Sequence, residues 1–151
     1  MKRTFLLAVT ATLTAASPIA LCLLPSEPPS AAALTRQAQE FLAALDADQR
    51  KQAQFGFRDK ERTNWHFVPN VYPGITLARL SIEQRRTVHR LLLTTLSAAG
   101  YHKATTIMQL EDVLRRLAEA QGRKAPSRDP GRYSLAFFGP PSDTNPWGFR
   151  L

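Results

Sequence analysis

The sequence predicts an α+β fold: a helical N-terminal half with an antiparallel helix hairpin, followed by antiparallel strands in a domain that the chain leaves incomplete. Three observations carry this. Two capping-box signatures, Asp46 with Gln49 and Ser81 with Gln84, each open a run of helical periodicity. Long apolar stripes at helical spacing occupy residues 82–120, broken by a glycine. Near the end, "YSLAFFG" alternates and is rich in aromatic residues, as a strand does.

In chain order, Ala31 to Leu45 places Leu34, Ala38, Phe41, Leu42 and Leu45 on one buried helix face. The Asp46 cap starts a second, short helix from Ala47 to about Gln54. Phe55, Phe57, Trp65 and Phe67 then alternate through the polar run "RDKERTN", which predicts extended backbone on either side of a turn. "PNVYPG" follows as a loop, because Pro69 and Pro73 have no backbone donor and Gly74 tolerates positive φ. A long helix from Ile82 to Ala99, closed by Gly100, and another from Lys103 to about Ala120, ended by Gly122, would pack as the hairpin. "GRKAPSRDPGR" is linker-like, "YSLAFFG" is a strand closed by Gly139-Pro140-Pro141, and "WGFRL" opens a partner strand. That last run has no turn or cap after it, which predicts a truncated domain with uncovered Phe137 and Phe138 and self-association through unpaired C-terminal strands.

The first 33 residues read as a signal peptide and spacer. Lys2 and Arg3 make a positive start, and Phe5 to Leu24 carry no charge. Ala31 to Ala33 offers a cleavage site before Leu34, and Thr14-Ala15-Ala16 an earlier one. Residues 5–24 are also long enough for a retained membrane anchor, although threonines and Pro18 weaken that reading. The localisation is therefore secreted or periplasmic, with anchoring as the alternative. Residues 34–151 form a single domain of ordinary size.

The single cysteine, Cys22, lies in the leader, so a chain cleaved after Ala33 has no disulfide or thiolate chemistry. The formal charge of +8 becomes +7 without residues 1–33, as 18 basic residues face 11 acidic ones. These basic residues are dispersed, which fits solvated helix faces and an anionic cell envelope better than nucleic acid.

None of the motifs HExxH, CxxC, GxSxG, P-loop or GxGxxG occurs. The histidines outside the leader are His66, His89 and His102. On the helix from Ile82, Arg85 and His89 interrupt the stripe of Val88, Leu92 and Leu96; on the next helix Glu111 interrupts that of Ile107, Leu110, Leu114 and Leu117. His89 and Glu111 are each 11 residues from Gly100, so an antiparallel hairpin would bring Glu111 to His89 or Arg85. That constellation is a buried structural pair or part of a catalytic site. Trp65 and Phe67 would face the core, leaving His66 to project as a ligand or general base, or simply to hydrogen-bond locally. Trp65 and Trp147 are the expected core anchors.

The blocks "FLAALDADQRKQAQFGFRDKERTNWHFVP", "IMQLEDVLRRL", "RDPGRYSLAFFGPPS" and "PWGFRL" resemble the bacterial domain-of-unknown-function family numbered thirty-five hundred. The likeness runs from Leu34 to Leu151, with Asn64, Trp65, His66, Glu111, Trp147 and Gly148 as block residues. It implies an exported or envelope-associated protein without an established activity, whose longer members continue past "WGFRL" into a histidine-bearing strand. Two functions follow: a binding or scaffold role, or a metal-assisted hydrolase in the full-length form, with His66 contributing to a divalent metal site.

Overall fold

The computed structural model describes residues 30–66, 71–125 and 127–151. The leader with Cys22, the Phe5–Leu24 segment, and Phe67 and Val68 of the aromatic alternation lie outside the described residues. The fold is α+β, with four α-helices and a small mixed sheet among the described residues.

Helix α1 (Ala31–Ala43) starts where Ser30 Oγ accepts from the Ala33 amide and buries Thr35, Ala38, Phe41 and Leu42. Helix α2 (Ala47–Ala53) opens on the Asp46 capping box, with Gln49 N donating to Asp46 Oδ1 at 2.8 Å and Asp46 N donating to Gln49 Oε1 at 3.1 Å. Helix α3 (Ile82–Thr95) opens on the Ser81–Gln84 box. The Gln84 amide does more than cap: its Nε2 donates to Ala44 O and to Gln49 Oε1, both at 2.8 Å. One side chain thus ties the end of α1 to the starts of α2 and α3, satisfying an orphan carbonyl at a helix C-terminus.

Helix α4 (Ala98–Ala120) departs from the expected boundaries. Ser97 accepts from the Gly100 amide at 3.1 Å and caps a new helix, so α3 stops at Leu96 and Gly100 sits in the first turn of α4, not in a left-handed cap. A serine three residues ahead of a glycine amide outweighs the glycine as a stop. Gly122, at φ 70°, does close α4. The expected hairpin is corrected with it: α1, not α4, is the helix that packs along α3, and α4 points its largest apolar residues at solvent.

The sheet is assembled on strand β3 (Ser134–Phe138). Strand β1 (Gln54–Phe55) pairs with it in parallel, placing Gln54 opposite Phe137. Strand β2 (Ile75–Thr76) pairs antiparallel, Ile75 opposite Leu135, and β4 (Gly148–Arg150) antiparallel, Phe149 opposite Phe137. The parallel β1 corrects the all-antiparallel expectation, and β3 has partners from both earlier and later in the chain. Leu135 to Phe138 are all buried, so the expectation of uncovered Phe137 and Phe138 is also corrected. Phe137 stacks on Phe41 at 5.6 Å, on Phe149 at 5.8 Å and on Trp147 at 6.5 Å. Gly74, at φ 146°, enters β2 where a Cβ would stand 2.8 Å from Leu135 O, so no other residue fits.

Because Phe137 joins three aromatic neighbours and has no solvent contact, Phe137→Ala is expected to destabilise the fold by about 3–5 kcal/mol in chemical denaturation. A loss below about 1 kcal/mol would show that the aromatic stack does not hold the sheet to α1.

Candidate functional site

The sequence-predicted site residues separate in space. Glu111 does not meet Arg85 or His89. Its two carboxylate oxygens each accept from Arg128 Nη1 at 3.2 Å, while Arg85 Nε donates to Leu80 O and His89 Nδ1 lies 2.9 Å from the Tyr101 hydroxyl. The equal-distance argument fails because the chain turns at Leu96–Ser97, not Gly100, and α4 diverges from α3. Arg128 comes from the stretch expected to be a linker, and nothing periodic links it to Glu111. Trp65 is not a core anchor: its side chain is 71% exposed. Trp147 is partly buried against the core through Phe137.

What the fold does bring together is Trp65, His66 and Glu111. They line one cleft of about 800 Å³ with Tyr72, Tyr133 and Arg150. Its floor begins with Arg150 of β4. Nη1 donates to Glu61 O at 2.8 Å and Asn64 O at 3.2 Å; Nη2 donates to the Glu61 carboxylate at 2.8 Å and Pro73 O at 3.2 Å. The guanidinium also lies 4.8 Å from the Tyr72 ring centroid. One planar fork thereby fastens the 3-10 turn Lys60–Thr63, the loop after it and the approach to β2 to the edge of the sheet.

From Glu61 a chain of hydrogen bonds reaches the imidazole. Asn64 Nδ2 donates to Glu61 Oε2 at 2.8 Å, and Asn64 Oδ1 lies 3.0 Å from His66 Nε2. A carboxylate only accepts, so it fixes the Asn64 amide with its oxygen toward His66. The ring nitrogen facing that oxygen must then carry the proton, which leaves Nδ1 of the neutral ring as an acceptor. The His66 backbone is held by Tyr72, whose hydroxyl accepts from His66 N at 2.7 Å and donates to His66 O at 2.8 Å. Trp65 N donates to Thr63 O. The backbone that presents the indole and the imidazole is thus pinned on both sides while the indole stays open.

The hydrogen bond from Asn64, partly opposed by burial and reinforced by Arg150, holds the Glu61 carboxyl below its ordinary value of 4.5. Burial, and then the negative charge of Glu111, raises the Tyr133 phenol above 10.0, so it stays a neutral donor. Among the described residues no group of three or more His, Cys, Asp or Glu side chains is placed to hold a metal ion. Arg150, Glu61, Tyr72 and Tyr133 were not picked out in the sequence; the basic residue in "WGFRL" was the available signal, since alternation puts it on the face opposite Phe149.

Residues 27–151 match the family model described as Protein of unknown function (DUF3500). The chain belongs to this family. No match is found among curated proteins or solved structures. The DUF3500 match takes in every described cleft residue, from Trp65 to Leu151.

Side chains of Glu61 and Arg150 are 13% and 18% exposed, against 19% and 43% for Glu111 and Arg128. Glu61→Ala is therefore expected to destabilise by about 2–3 kcal/mol and Glu111→Ala by about 1 kcal/mol, measured by urea denaturation. Equal effects would refute the ranking. Glu61 is more acidic when folded, so its contribution is complete above the unfolded carboxyl value and is lost as pH falls from about 4.5 through the lower folded value. Glu61→Gln should flatten that part of the acid-unfolding curve, and an unchanged curve would remove the pair from the account.

Proposed function

We propose that the chain is an exported, envelope-associated binding domain whose cleft takes a saccharide unit. The observation that carries the reading is the exposed indole of Trp65, held on a hydrogen-bonded backbone beside the cleft. An aromatic plane open at the mouth of a cleft and held on a fixed backbone is available to a ligand, and the C–H face of a pyranose ring fits such a plane. Hydroxyl recognition needs fixed donors and acceptors of both kinds close by. His66 Nδ1 and the Glu111 carboxylate supply acceptors, and the Tyr133 phenol supplies a donor.

Export rests on the positive start and uncharged run of the leader. The dispersed basic surface suits an anionic envelope. Cleavage after Ala33 would remove the Ser30 cap and the first turn of α1, so the earlier site near Ala16 fits the fold better. No helix among the described residues is long and apolar enough to cross a membrane, and the Phe5–Leu24 segment lies outside them.

Binding is tested by calorimetry against a panel of envelope oligosaccharides. Trp65→Ala should weaken the best ligand on the order of tenfold or more, with Trp65→Phe between it and the wild type. Binding that ignores both changes, or no binding across the panel, would overturn the reading. Export is tested separately by fractionation and N-terminal sequencing: the chain should be found outside the cytoplasm, starting close to Ser17. A soluble cytoplasmic chain starting at Met1 or Lys2 would refute it.

A further inference from the structure

Helix α4 is inverted. Tyr101, Ala104, Met108, Glu111, Arg115 and Ala118 are among the residues it turns inward, all half-buried or buried. Ile107, Leu110, Val113, Leu114 and Leu117 are between 43% and 54% exposed. An amphipathic helix ordinarily buries the second set. Leaving five large apolar side chains on one face of a helix marks an interaction surface.

We infer that this face is covered by a second copy of the same chain, with the two α4 helices antiparallel about a two-fold axis. The spacing supplies the first argument. Ile107, Leu110, Leu114 and Leu117 follow a three-four-three pattern that is palindromic about residue 112. A perpendicular two-fold at that level sets Ile107 against Leu117 and Leu110 against Leu114, which is the self-complementarity an isologous interface requires.

Charge supplies the second. The chain carries +8, yet α4 holds three cations, Lys103, Arg115 and Arg116, and three anions, Glu111, Asp112 and Glu119. Two neutral helices can meet face to face although the chains as wholes repel. A helix meant for a lipid surface would instead flank its apolar face with an excess of Lys and Arg.

Area supplies the third. Five half-exposed side chains offer on the order of 450 Å² per copy, so the stripe alone removes about 900 Å² from water. Its flanking residues bring the total to roughly the 1,000 Å² of a specific but modest interface. An interface at that lower limit is one in which monomer and dimer exchange, and it uses α4 in place of the C-terminal strands.

Sedimentation equilibrium of the full chain should show monomer and dimer exchanging, with dimer dominant by about 100 µM. Leu110→Glu combined with Leu114→Glu should leave monomer at the same concentration, and its thermal melt should match that of wild type diluted to monomer, because both positions are half-exposed in the single chain. Should that double variant melt early, Leu117→Lys alone serves the same purpose. Leu93→Glu, on the exposed side of α3, should leave the dimer intact. In a Cys22→Ser background, a mixture of Leu110→Cys and Leu114→Cys chains should oxidise to the heterodisulfide, with little homodisulfide from either alone. A wild type that is monomeric at about 100 µM overturns the inference, as does a dimer indifferent to the α4 variants. A monomer that floats with phosphatidylcholine vesicles through α4 also overturns it, by making lipid the occupant.

Discussion

Strand β3 has no solvent face, and that constraint organises the molecule. Four successive residues, Leu135 to Phe138, are buried, so both sides of the strand must be covered and both edges paired. The cover on one side is Phe41 of α1, stacked on Phe137. Phe55 meets Phe138, and the edges are taken by two two-residue strands from far earlier in the chain and a three-residue strand that follows soon after. Such short strands have little stability of their own; they are strands because β3 offers them hydrogen bonds in an already apolar setting. The helices then arrange themselves around this strand, with α1 and α3 packed together and the glutamines of the two capping boxes joining their ends.

Arg150 converts that scaffold into a site. It lies on β4, three residues past Trp147, and its two terminal nitrogens donate to three backbone carbonyls and the Glu61 carboxylate while the guanidinium lies over the Tyr72 ring. Since the guanidinium is always charged and its fork is planar, it can hold three segments in one geometry where a lysine could not. The result passes outward: Glu61 orients Asn64, Asn64 orients His66, and Tyr72 holds the His66 peptide from the other side. The indole of Trp65 is left without cover. Rigidity behind an open aromatic plane is the arrangement that lets a ligand bind without ordering the protein first.

Local chemistry was legible in the sequence and tertiary direction was not. Both capping boxes and the α+β class could be read because a cap is decided within four residues and a strand within seven. Glu111, His66 and Trp65 line one cleft, but neither the Arg128 partner of Glu111 nor the exposure of Trp65 follows from the sequence. The wheel for residues 82–120 measures which residues share a face; it does not say which face turns inward. On α4 the usual rule reverses, and the mistaken stop at Gly100 compounded the error by moving the turn away from Ser97. Arg128 and Arg150 escaped notice for a related reason. Their bonds join residues 17 and 89 apart, and no periodicity spans such distances.

The position of β3 in the chain also sets an order of events. Gln54 and Ile75 are polymerised long before residues 134–138 exist, so β1 and β2 have nothing to pair with during most of synthesis. The β1 and β2 pairings close late, across sequence separations of about 60 to 80 residues, and pairing at such range is slower than the local β3–β4 pairing. A nascent chain of this kind emerges as helices whose sheet is still missing, with the apolar surface that β3 will cover open in the meantime.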